Sequence, residues 1–212
     1  MKDQESGPAR LVLATNNKHK LIELARILHA EHLNLQLAGL AEFPGAPDVA
    51  ETGATFAENG LLKAHAIAQF TGLPTVADDS GLCVDALNGM PGVLSARWSG
   101  RHGDDEANLQ LVLAQLSDVP DDRRGAYFAC AAALVLPDGR STVSEAVVEG
   151  TLIRQPRGSN GFGYDPIFVP SCTAPGAPQL TTAEMESEEK DKISHRGKAL
   201  RGLVPAIAEF LG

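Results

Sequence analysis

The sequence predicts an α/β protein built on a mixed, twisted sheet flanked by helices. A short apolar run at 11–14 is followed by a polar turn and by apolar residues at helical spacing, which is half of a βαβ unit. Two strand-like segments, 125–136 and 141–153, are joined by Pro-Asp-Gly, a favourable hairpin turn. Because βα units and a hairpin occur in one chain, we expect parallel and antiparallel pairs in the same sheet.

The N-terminal part of the chain contains the clearest βα pattern. Apolar residues recur from Leu21 to Leu28, which predicts a helix after the polar turn. The next apolar stretch, 33–37, predicts a second strand. Residues 38–54 are rich in Gly, Pro and acids, which is typical of an irregular loop.

A second helix and a short strand follow that loop. Thr55 and Glu58 have the spacing of a capping box, in which the threonine caps the helix and the glutamate reaches back. The helix is expected to run to about Phe70, where Thr-Gly-Leu-Pro ends it. Residues 75–77 predict a brief strand that ends at an acidic pair.

Two further helices are predicted in the second half of the chain. Asp104 or Asp105 is a suitable cap for a helix with apolar residues at helical spacing. The C-terminal helix is expected to begin near Ser194. Pro205 lies within its apolar pattern and, lacking an N–H group, should kink the helix or shift its start.

The domain organisation is predicted to be simple. A chain of 212 residues that is 43% hydrophobic can bury one core, so 10–212 is expected to form a single domain behind a flexible tail at 1–9. The segment 170–180 is rich in Pro, Ala and Gly and is expected to be mobile.

Charge and cysteine content exclude some classes of function. The net charge of -9 argues against a broad contact with a nucleic acid polymer or an anionic membrane, although a small polyanion needs only a local basic pocket. The 3 cysteines are scattered and suggest a reducing compartment. No apolar run is long enough for a membrane helix, so we predict a soluble, cytoplasmic protein.

Four polar clusters lie at the ends of apolar elements, where open α/β sheets bind their ligands. The first comprises Thr15, Asn16, Asn17, Lys18, His19 and Lys20. Between a strand and a helix, backbone N–H groups and the helix dipole favour an anion. A solvated turn explains the same residues, so phosphate binding and a plain turn remain equal alternatives here.

The second cluster is the acidic pair Asp78 and Asp79, followed by Ser80 and Gly81. Adjacent carboxylates repel each other, and a cation, a proton or solvent must relieve that repulsion. Mg²⁺ prefers oxygen ligands, and a carboxylate near a metal can deprotonate water. A plain Asx-turn is the alternative. Upstream acids that could add ligands are Glu42, Glu51 and Glu58.

The third cluster, Gly161–Pro166, has Phe162 between two glycines. An exposed ring there can stack on a nucleotide base, although a tight turn with the ring packed in the core is the more common arrangement. The fourth is a basic stretch with Lys190, His195 and Arg196. The arginine fork suits carbonyl or phosphate oxygens, and a solvated helix start is the alternative.

Taken together, the clusters resemble the inosine triphosphate pyrophosphatase family. The motifs that carry the resemblance are ATNNKHK, ETGATFAENGLLKA, ADDSGLCVDALNGMPGVLSARWSG, GFGYDPIF and SHRGKAL, in this order from about residue 11 onward. The resemblance implies an enzyme that uses Mg²⁺ to hydrolyse inosine, deoxyinosine and xanthosine triphosphates to the monophosphate and pyrophosphate. Such an activity keeps deaminated purines out of DNA and RNA. It also implies two lobes with a central nucleotide-binding cleft, and a homodimer.

The resemblance further implies a role for individual residues. Asp79 matches the base and metal ligand, with Asp78 beside it and Lys20 assisting catalysis. Glu51 is our choice for the second metal ligand, with Glu42 as the alternative. The positions that match substrate contacts are Thr15, Asn16, Asn17, Lys18, His19, Lys20, Ser80, Phe162, Gly163, Tyr164, Asp165, Lys190, His195 and Arg196. Gly60 stands where the family more often has alanine.

The chemistry of the base suggests how substrates are chosen. Hypoxanthine and xanthine carry a carbonyl at C6, where adenine carries an amino group. If Arg196, His195 and backbone N–H groups donate to this position, the amino group of adenine finds no acceptor there. A site whose buried polar groups go unpaired in this way can reject a ligand by ~10⁴-fold. Rival interpretations are a metal-dependent phosphatase, a pyrophosphatase for another nucleotide, and a nucleotide or RNA-binding module without enzymatic activity.

Overall fold

The computed structural model describes residues 8–172 and 179–211. Most of the predicted flexible tail at 1–9 and part of the predicted mobile segment at 170–180 lie outside the described residues. Both flexibility predictions therefore stay predictions.

The described chain forms one sheet of six strands in the order β2-β1-β3-β4-β5-β6. β1 pairs parallel with β2 and β3, whereas β5 pairs antiparallel with β6. The prediction of an α/β fold with a mixed sheet is confirmed. The strands are β1 (Arg10–Leu13), β2 (Gln36–Gly39), β3 (Thr75–Val84), β4 (Gly125–Val135), β5 (Ser141–Leu152) and β6 (Phe168–Pro170).

Side chains satisfy first-turn N–H groups of α2 and α3. Thr55 caps α2, and Glu58 accepts from the N–H of Ala54 at 2.6 Å, one residue before the expected partner. Asp104 caps α3 through the N–H of Ala107. The helices are α1 (Lys18–Ala30), α2 (Phe56–Thr71), α3 (Asp105–Gln115), α4 (Ser187–Ile193) and α5 (His195–Leu211). Among the described residues, no helix has the length and apolar character needed to span a membrane.

The chain divides into two compact units whose boundaries fall inside β3, β4, β5 and α5. The first unit comprises the residues up to Asp79, the segment Ala131–Glu145 and the residues from Ala199 onward. The second unit comprises Ser80–Cys130 and Ala146–Lys198. Each has its own apolar cluster, centred on Ala64 and Ala77 in the first and on Leu109 and Phe168 in the second. The predicted single domain and central cleft stay predictions.

Some predicted elements are wrong in extent. The strand expected to stop at residue 77 continues to Val84, and the strand expected at 33–37 is Gln36–Gly39. α4 was not predicted, because its seven residues are mostly charged and have no apolar period. Pro205 lies inside α5 without shifting its start, which remains at His195.

Candidate active site

The turn after β1 is closed by its own side chains. The hydroxyl of Thr15 accepts from the N–H of Asn17 at 3.1 Å, and Asn17 Oδ1 accepts from the N–H of His19 at 2.9 Å. Asn17 is therefore the N-cap of α1, although lysine follows it in the unfavourable first position. The six predicted phosphate-binding residues lie together in this turn and the first turn of α1.

The two adjacent carboxylates of β3 have different cationic partners. Asp78 accepts from Lys20 Nζ at 2.8 Å, whereas Asp79 accepts from Lys63 Nζ at 3.3 Å and from Asn59 Nδ2 at 3.0 Å. Both acids are buried, at 6% and 8% exposure. Successive side chains of a strand point to opposite faces, so neighbouring acids can have separate partners. The expected repulsion within the pair is therefore relieved by cations, and the strand continues through it.

Lys63 joins Asp79 to a second carboxylate. Its Nζ donates to Glu51 Oε1 at 2.9 Å as well as to Asp79. Glu42, the alternative metal ligand, instead pairs with Arg10 at 2.7 Å and accepts from the N–H of Gly39. The geometry thus brings Glu51, rather than Glu42, to the cation that Asp79 contacts.

Asn59 connects the loop before α2 to the same acid. It is fully buried, and its Oδ1 accepts from the N–H of Gly53 at 2.8 Å while its Nδ2 faces Asp79. A Cβ on Gly53 would collide with Glu58 and Asn59, so glycine is required at that approach. This bond ties down the loop that carries Glu51.

Asn59 and Lys63 were missed as functional residues, although both lie in the ETGATFAENGLLKA motif. They are four residues apart on α2 and therefore share one helix face. That spacing was the available signal, but only the tertiary structure shows that the face meets β3. We name Glu51, Asn59, Lys63, Asp78 and Asp79, together with Lys20, the acid cluster.

The acid cluster perturbs the pKa values of its members. Burial and the charge of Glu51 raise the pKa of Asp79, against the opposing effects of Lys63 and Asn59. Burial alone would lower the pKa of Lys63, but the charges of Asp79 and Glu51 outweigh it, so that pKa is raised. Asp79 is consequently a stronger base than an ordinary aspartate, and Lys63 remains an ammonium.

The donor set of the acid cluster fits a magnesium ion. No group of three or more His, Cys, Asp or Glu suited to a metal occurs among the described residues. Mg²⁺, however, takes one or two protein carboxylates and completes its shell with water and substrate phosphates. Asp79 and Glu51 supply two hard oxygen donors that already face one cation, the ammonium of Lys63.

The glycine-rich loop lies in the second unit. We name residues 158–165 the aromatic loop. Its Phe162 is 61% exposed, so the alternative of a ring packed in the core is wrong. Lys190 Nζ lies 5.5 Å from the centre of that ring and forms an ion pair with the buried Asp165. An exposed aromatic ring beside an ammonium is a suitable surface for stacking a base.

Two contacts tie the aromatic loop to other elements of the second unit. Gly163 donates its N–H to Asp105 Oδ2 at 2.9 Å, and the hydroxyl of Tyr164 donates to Ser95 O at 2.8 Å. Tyr164 is buried, and its pKa is raised mainly by that burial. Of the predicted substrate contacts, Tyr164 and Asp165 therefore direct their side chains inward, whereas Phe162 does not.

The basic cluster at the start of α5 meets Ser80 and an aromatic platform. Arg196 donates to Ser80 Oγ at 3.2 Å. The ring of His195 stacks on Phe128 with centroids 5.0 Å apart and planes 8° apart. Phe128, on β4, was not predicted as a site residue, because a single aromatic residue in a strand is typical of any protein core.

Gly81, next to Ser80, has a packing role. A Cβ there would collide with Ser95 and with the carbonyl of Gly92. Ser95 Oγ in turn accepts from the N–H of Leu82 at 2.9 Å and donates to Gly92 O at 2.6 Å. The glycine thus lets the 3₁₀ turn at Gly92–Arg97 approach β3 beside Ser80.

Chemically, the first unit presents a base-like carboxylate, two further carboxylates and two ammonium groups. The second unit presents an exposed aromatic ring, a guanidinium and an imidazole. The former set suits metal-assisted chemistry on phosphates, and the latter suits a planar ligand with carbonyl oxygens.

Comparisons with known proteins agree with this chemistry. A dITP/XTP pyrophosphatase of Streptomyces coelicolor is 59% identical over 203 residues, covering 96% of this chain and 99% of that protein. A second dITP/XTP pyrophosphatase, from Streptomyces avermitilis, is 60% identical with the same coverage.

Solved structures match over nearly the whole chain. The crystal structure of a nucleoside-triphosphatase / dITP/XTP pyrophosphatase from Mycobacterium abscessus is 54% identical, with a TM-score of 0.76 over 92% of this chain and 99% of that one. A HAM1 protein from Coxiella burnetii is 42% identical, with a TM-score of 0.84 over 95% and 99%. The sequence model of the Ham1 family matches residues 11–206. The resemblance found in the motifs is confirmed, and the chain belongs to the Ham1 family.

Proposed function

We propose that this protein hydrolyses the triphosphates of inosine, deoxyinosine and xanthosine to the nucleoside monophosphate and pyrophosphate, with Mg²⁺ as cofactor. The observation that carries the proposal is the acid cluster, in which Asp79 and Glu51 face one cation. The names of the relatives, dITP/XTP pyrophosphatases at 59% and 60% identity, support deoxyinosine and xanthosine triphosphates as substrates.

Asp79 is the proposed general base. Its raised pKa makes its carboxylate a better proton acceptor at neutral pH. Asn59 and Lys63 each donate to one of its oxygens, so the orientation of the carboxylate is fixed before a substrate binds. In this role Asp79 orients a water molecule toward the α-phosphorus and accepts its proton.

Asp79 and Glu51 would hold Mg²⁺, which when bound neutralises phosphate charge and makes the α-phosphorus a better electrophile. Lys63 keeps the two carboxylates directed at one point in the absence of substrate. Lys20 is held by Asp78 at 2.8 Å and supplies positive charge beside the turn at the start of α1. That charge and the helix N-terminus favour the departing pyrophosphate.

The turn after β1 is proposed to bind the phosphates. Asn17 Oδ1 is used by the N–H of His19, so the side-chain group that it can direct at an anion is its NH₂ donor. Lys18 and His19 are exposed on the same turn and add donors. A triphosphate therefore meets hydrogen-bond donors in this turn, while the carboxylates of Asp78 and Asp79 lie on β3.

The second unit is proposed to recognise the base. Phe162 offers an exposed ring for stacking, and Arg196 and His195 offer donors to a C6 carbonyl. Adenine presents an amino group at that position and would leave those donors unpaired. Homodimer formation and a cytoplasmic location complete the proposal; light scattering of the purified protein tests the former.

A product assay tests the proposed function. The purified protein with Mg²⁺ is given inosine, xanthosine, guanosine and adenosine triphosphates separately, and pyrophosphate is resolved from orthophosphate. Pyrophosphate from the first two substrates, with little from adenosine triphosphate, is the expected result. Orthophosphate as the main product would favour the rival phosphatase, and equal turnover of adenosine triphosphate would refute the base selectivity.

The variant Asp79→Asn tests the assignment of the base. We expect turnover to fall by at least about 10³-fold, because general-base catalysis and a metal ligand are lost together. Circular dichroism should show a folded protein, since asparagine keeps the shape of the side chain and one oxygen that can accept from Asn59 or from Lys63. Near-normal turnover in this variant would contradict the assignment.

A further inference from the structure

The aromatic loop is held from inside by one buried carboxylate. Asp165 is 4% exposed. Its Oδ2 accepts from the N–H of Phe162 at 2.9 Å and from Lys190 Nζ, and its Oδ1 accepts from Thr182 Oγ1 at 2.8 Å. Both oxygens are thus used within the protein, so Asp165 organises the loop rather than facing a ligand.

Thr182 controls the rotation of that carboxylate. It is 5% exposed, and its hydroxyl lies 3.2 Å from the carbonyl oxygen of Asp165 as well as 2.8 Å from the carboxylate. Its own N–H donates to Phe168 O at 2.9 Å, which anchors it to β6. A group fixed to the sheet therefore sets the side-chain angle of Asp165.

Phe162 depends on Asp165 in two ways. The carboxylate accepts from the backbone N–H of Phe162, and it also holds the Lys190 ammonium 5.5 Å from the centre of the ring. Gly161 has a φ of 77°, and a Cβ there would collide with Asp165 and Lys190. The loop backbone is thus folded closely around the carboxylate, and a rotation of Asp165 displaces the ring.

We propose that Thr182 is a positioning residue that fixes the base-stacking ring of Phe162 through Asp165. This inference rests on the proposed function, since it takes Phe162 to stack on the base. Thr182 touches neither substrate nor metal in this scheme, and it affects the affinity for the base rather than the chemical step.

The test compares three variants at buried threonines. Thr182→Val removes the hydroxyl and keeps the shape, whereas Thr182→Ser keeps the hydroxyl. The matched control is Thr75→Val, because Thr75 is also buried and donates its hydroxyl to a backbone carbonyl, that of Leu73 at 3.0 Å. All three should fold, which circular dichroism and thermal melting will check.

Kinetics with inosine triphosphate should separate positioning from folding. Thr182→Val is expected to raise KM about tenfold, the size expected for one lost hydrogen bond to a charged group, with kcat within about twofold. The dissociation constant of inosine monophosphate, measured by calorimetry, should rise in parallel. Thr182→Ser should restore wild-type values, and Thr75→Val should leave them unchanged.

A double-mutant cycle tests whether the effect passes through the ring. In the Phe162→Ala background, Thr182→Val should change KM by less than about twofold, because the ring that it positions is absent. Amide hydrogen exchange gives a readout that needs no activity. The N–H of Phe162, which donates to Asp165, should exchange faster in Thr182→Val than in Thr75→Val.

Three results would overturn the inference: an unchanged KM in Thr182→Val, an unchanged exchange rate at Phe162, or effects of Thr182→Val and Phe162→Ala that multiply. Failure of the proposed function looks different. If the wild-type protein releases no pyrophosphate from inosine triphosphate, that function is wrong, and the exchange rate at Phe162 still decides whether Thr182 positions the loop.

Discussion

Removing the side chain of Asn59 should destabilise the protein more than removing an otherwise similar asparagine. Asn59 is fully buried and makes two hydrogen bonds, one from the N–H of Gly53 and one to the carboxylate of Asp79. A bond to a charged group contributes about 1.5–3 kcal/mol, and an N–H left without a partner costs up to about 1–3 kcal/mol when it is buried. The N–H of Gly53 is only partly buried, so Asn59→Ala should lower the free energy of unfolding by roughly 2–5 kcal/mol.

Asn108 provides the matched control. It lies in the helix α3 at 1% exposure, and its Oδ1 accepts from the N–H of Ser99 at 2.7 Å. Its Nδ2 has no hydrogen-bond partner among the described residues. Asn108→Ala removes the same atoms and one neutral bond, so it should cost less than Asn59→Ala by about 1.5–3 kcal/mol, the value of the bond to a carboxylate.

Urea unfolding measures both variants. The protein has one tryptophan, Trp98, whose fluorescence can be compared with far-ultraviolet circular dichroism in the same titration. A double-mutant cycle between Asn59→Ala and Asp79→Ala should give a coupling of about 1.5–3 kcal/mol. Equal losses in Asn59→Ala and Asn108→Ala, or a coupling below about 0.5 kcal/mol, would refute the reasoning.

Three further predictions concern the cation site, a helix glycine and alkaline pH. Lys63→Met leaves Glu51 and Asp79 without their shared ammonium, so it should lower Tm, and added Mg²⁺ should raise Tm more in this variant than in the wild type. Gly60→Ala should raise the free energy of unfolding, measured in urea, by about 0.5–1 kcal/mol, because a Cβ there meets its neighbours at ordinary distances of 3.4 Å or more. A lower free energy of unfolding in this variant would mean that the neighbouring atoms cannot accommodate the methyl group. Burial raises the pKa of Tyr164 in the folded protein above its unfolded value, which is near 10. The protonated tyrosine therefore makes its full contribution to the free energy of unfolding below about pH 10, and that contribution is lost as the pH rises further. Stability measured from pH 8 to 11 should therefore fall less steeply in Tyr164→Phe than in the wild type.

Local signals in the sequence predicted the elements that local interactions stabilise. The cap of α2 at Thr55 and the hairpin between β4 and β5 were correct to within about a residue or two, because both depend on groups a few residues apart. The mixed sheet followed from the order of these elements. The length of β3 could not be predicted in this way. A strand with two adjacent buried acids is stable only when cations from other elements, here Lys20 and Lys63, compensate their charges.

The geometry of the candidate site also depends on contacts between residues far apart in the sequence, which local signals do not predict. The motifs led to Asp79, Glu51 and Phe162 as candidates, but their residue types alone do not tell which of them share a partner. Lys63 and Phe128 were missed because a lysine on a helix and a phenylalanine in a strand have ordinary explanations in any sequence. Only the distances from Lys63 to two carboxylates, and the parallel stack of Phe128 on His195, give them a role.

The different roles of Asp78 and Asp79 follow from the charged groups that surround each carboxylate. Asp78 pairs with Lys20, so that a negative and a positive group lie side by side. Asp79 shares Lys63 with Glu51. Its burial and the negative charge of Glu51 raise its pKa, so that it accepts a proton readily. Asp79 is therefore the acid suited to hold a metal and act as the base, whereas Asp78 is suited to fix Lys20 beside the phosphate-binding turn.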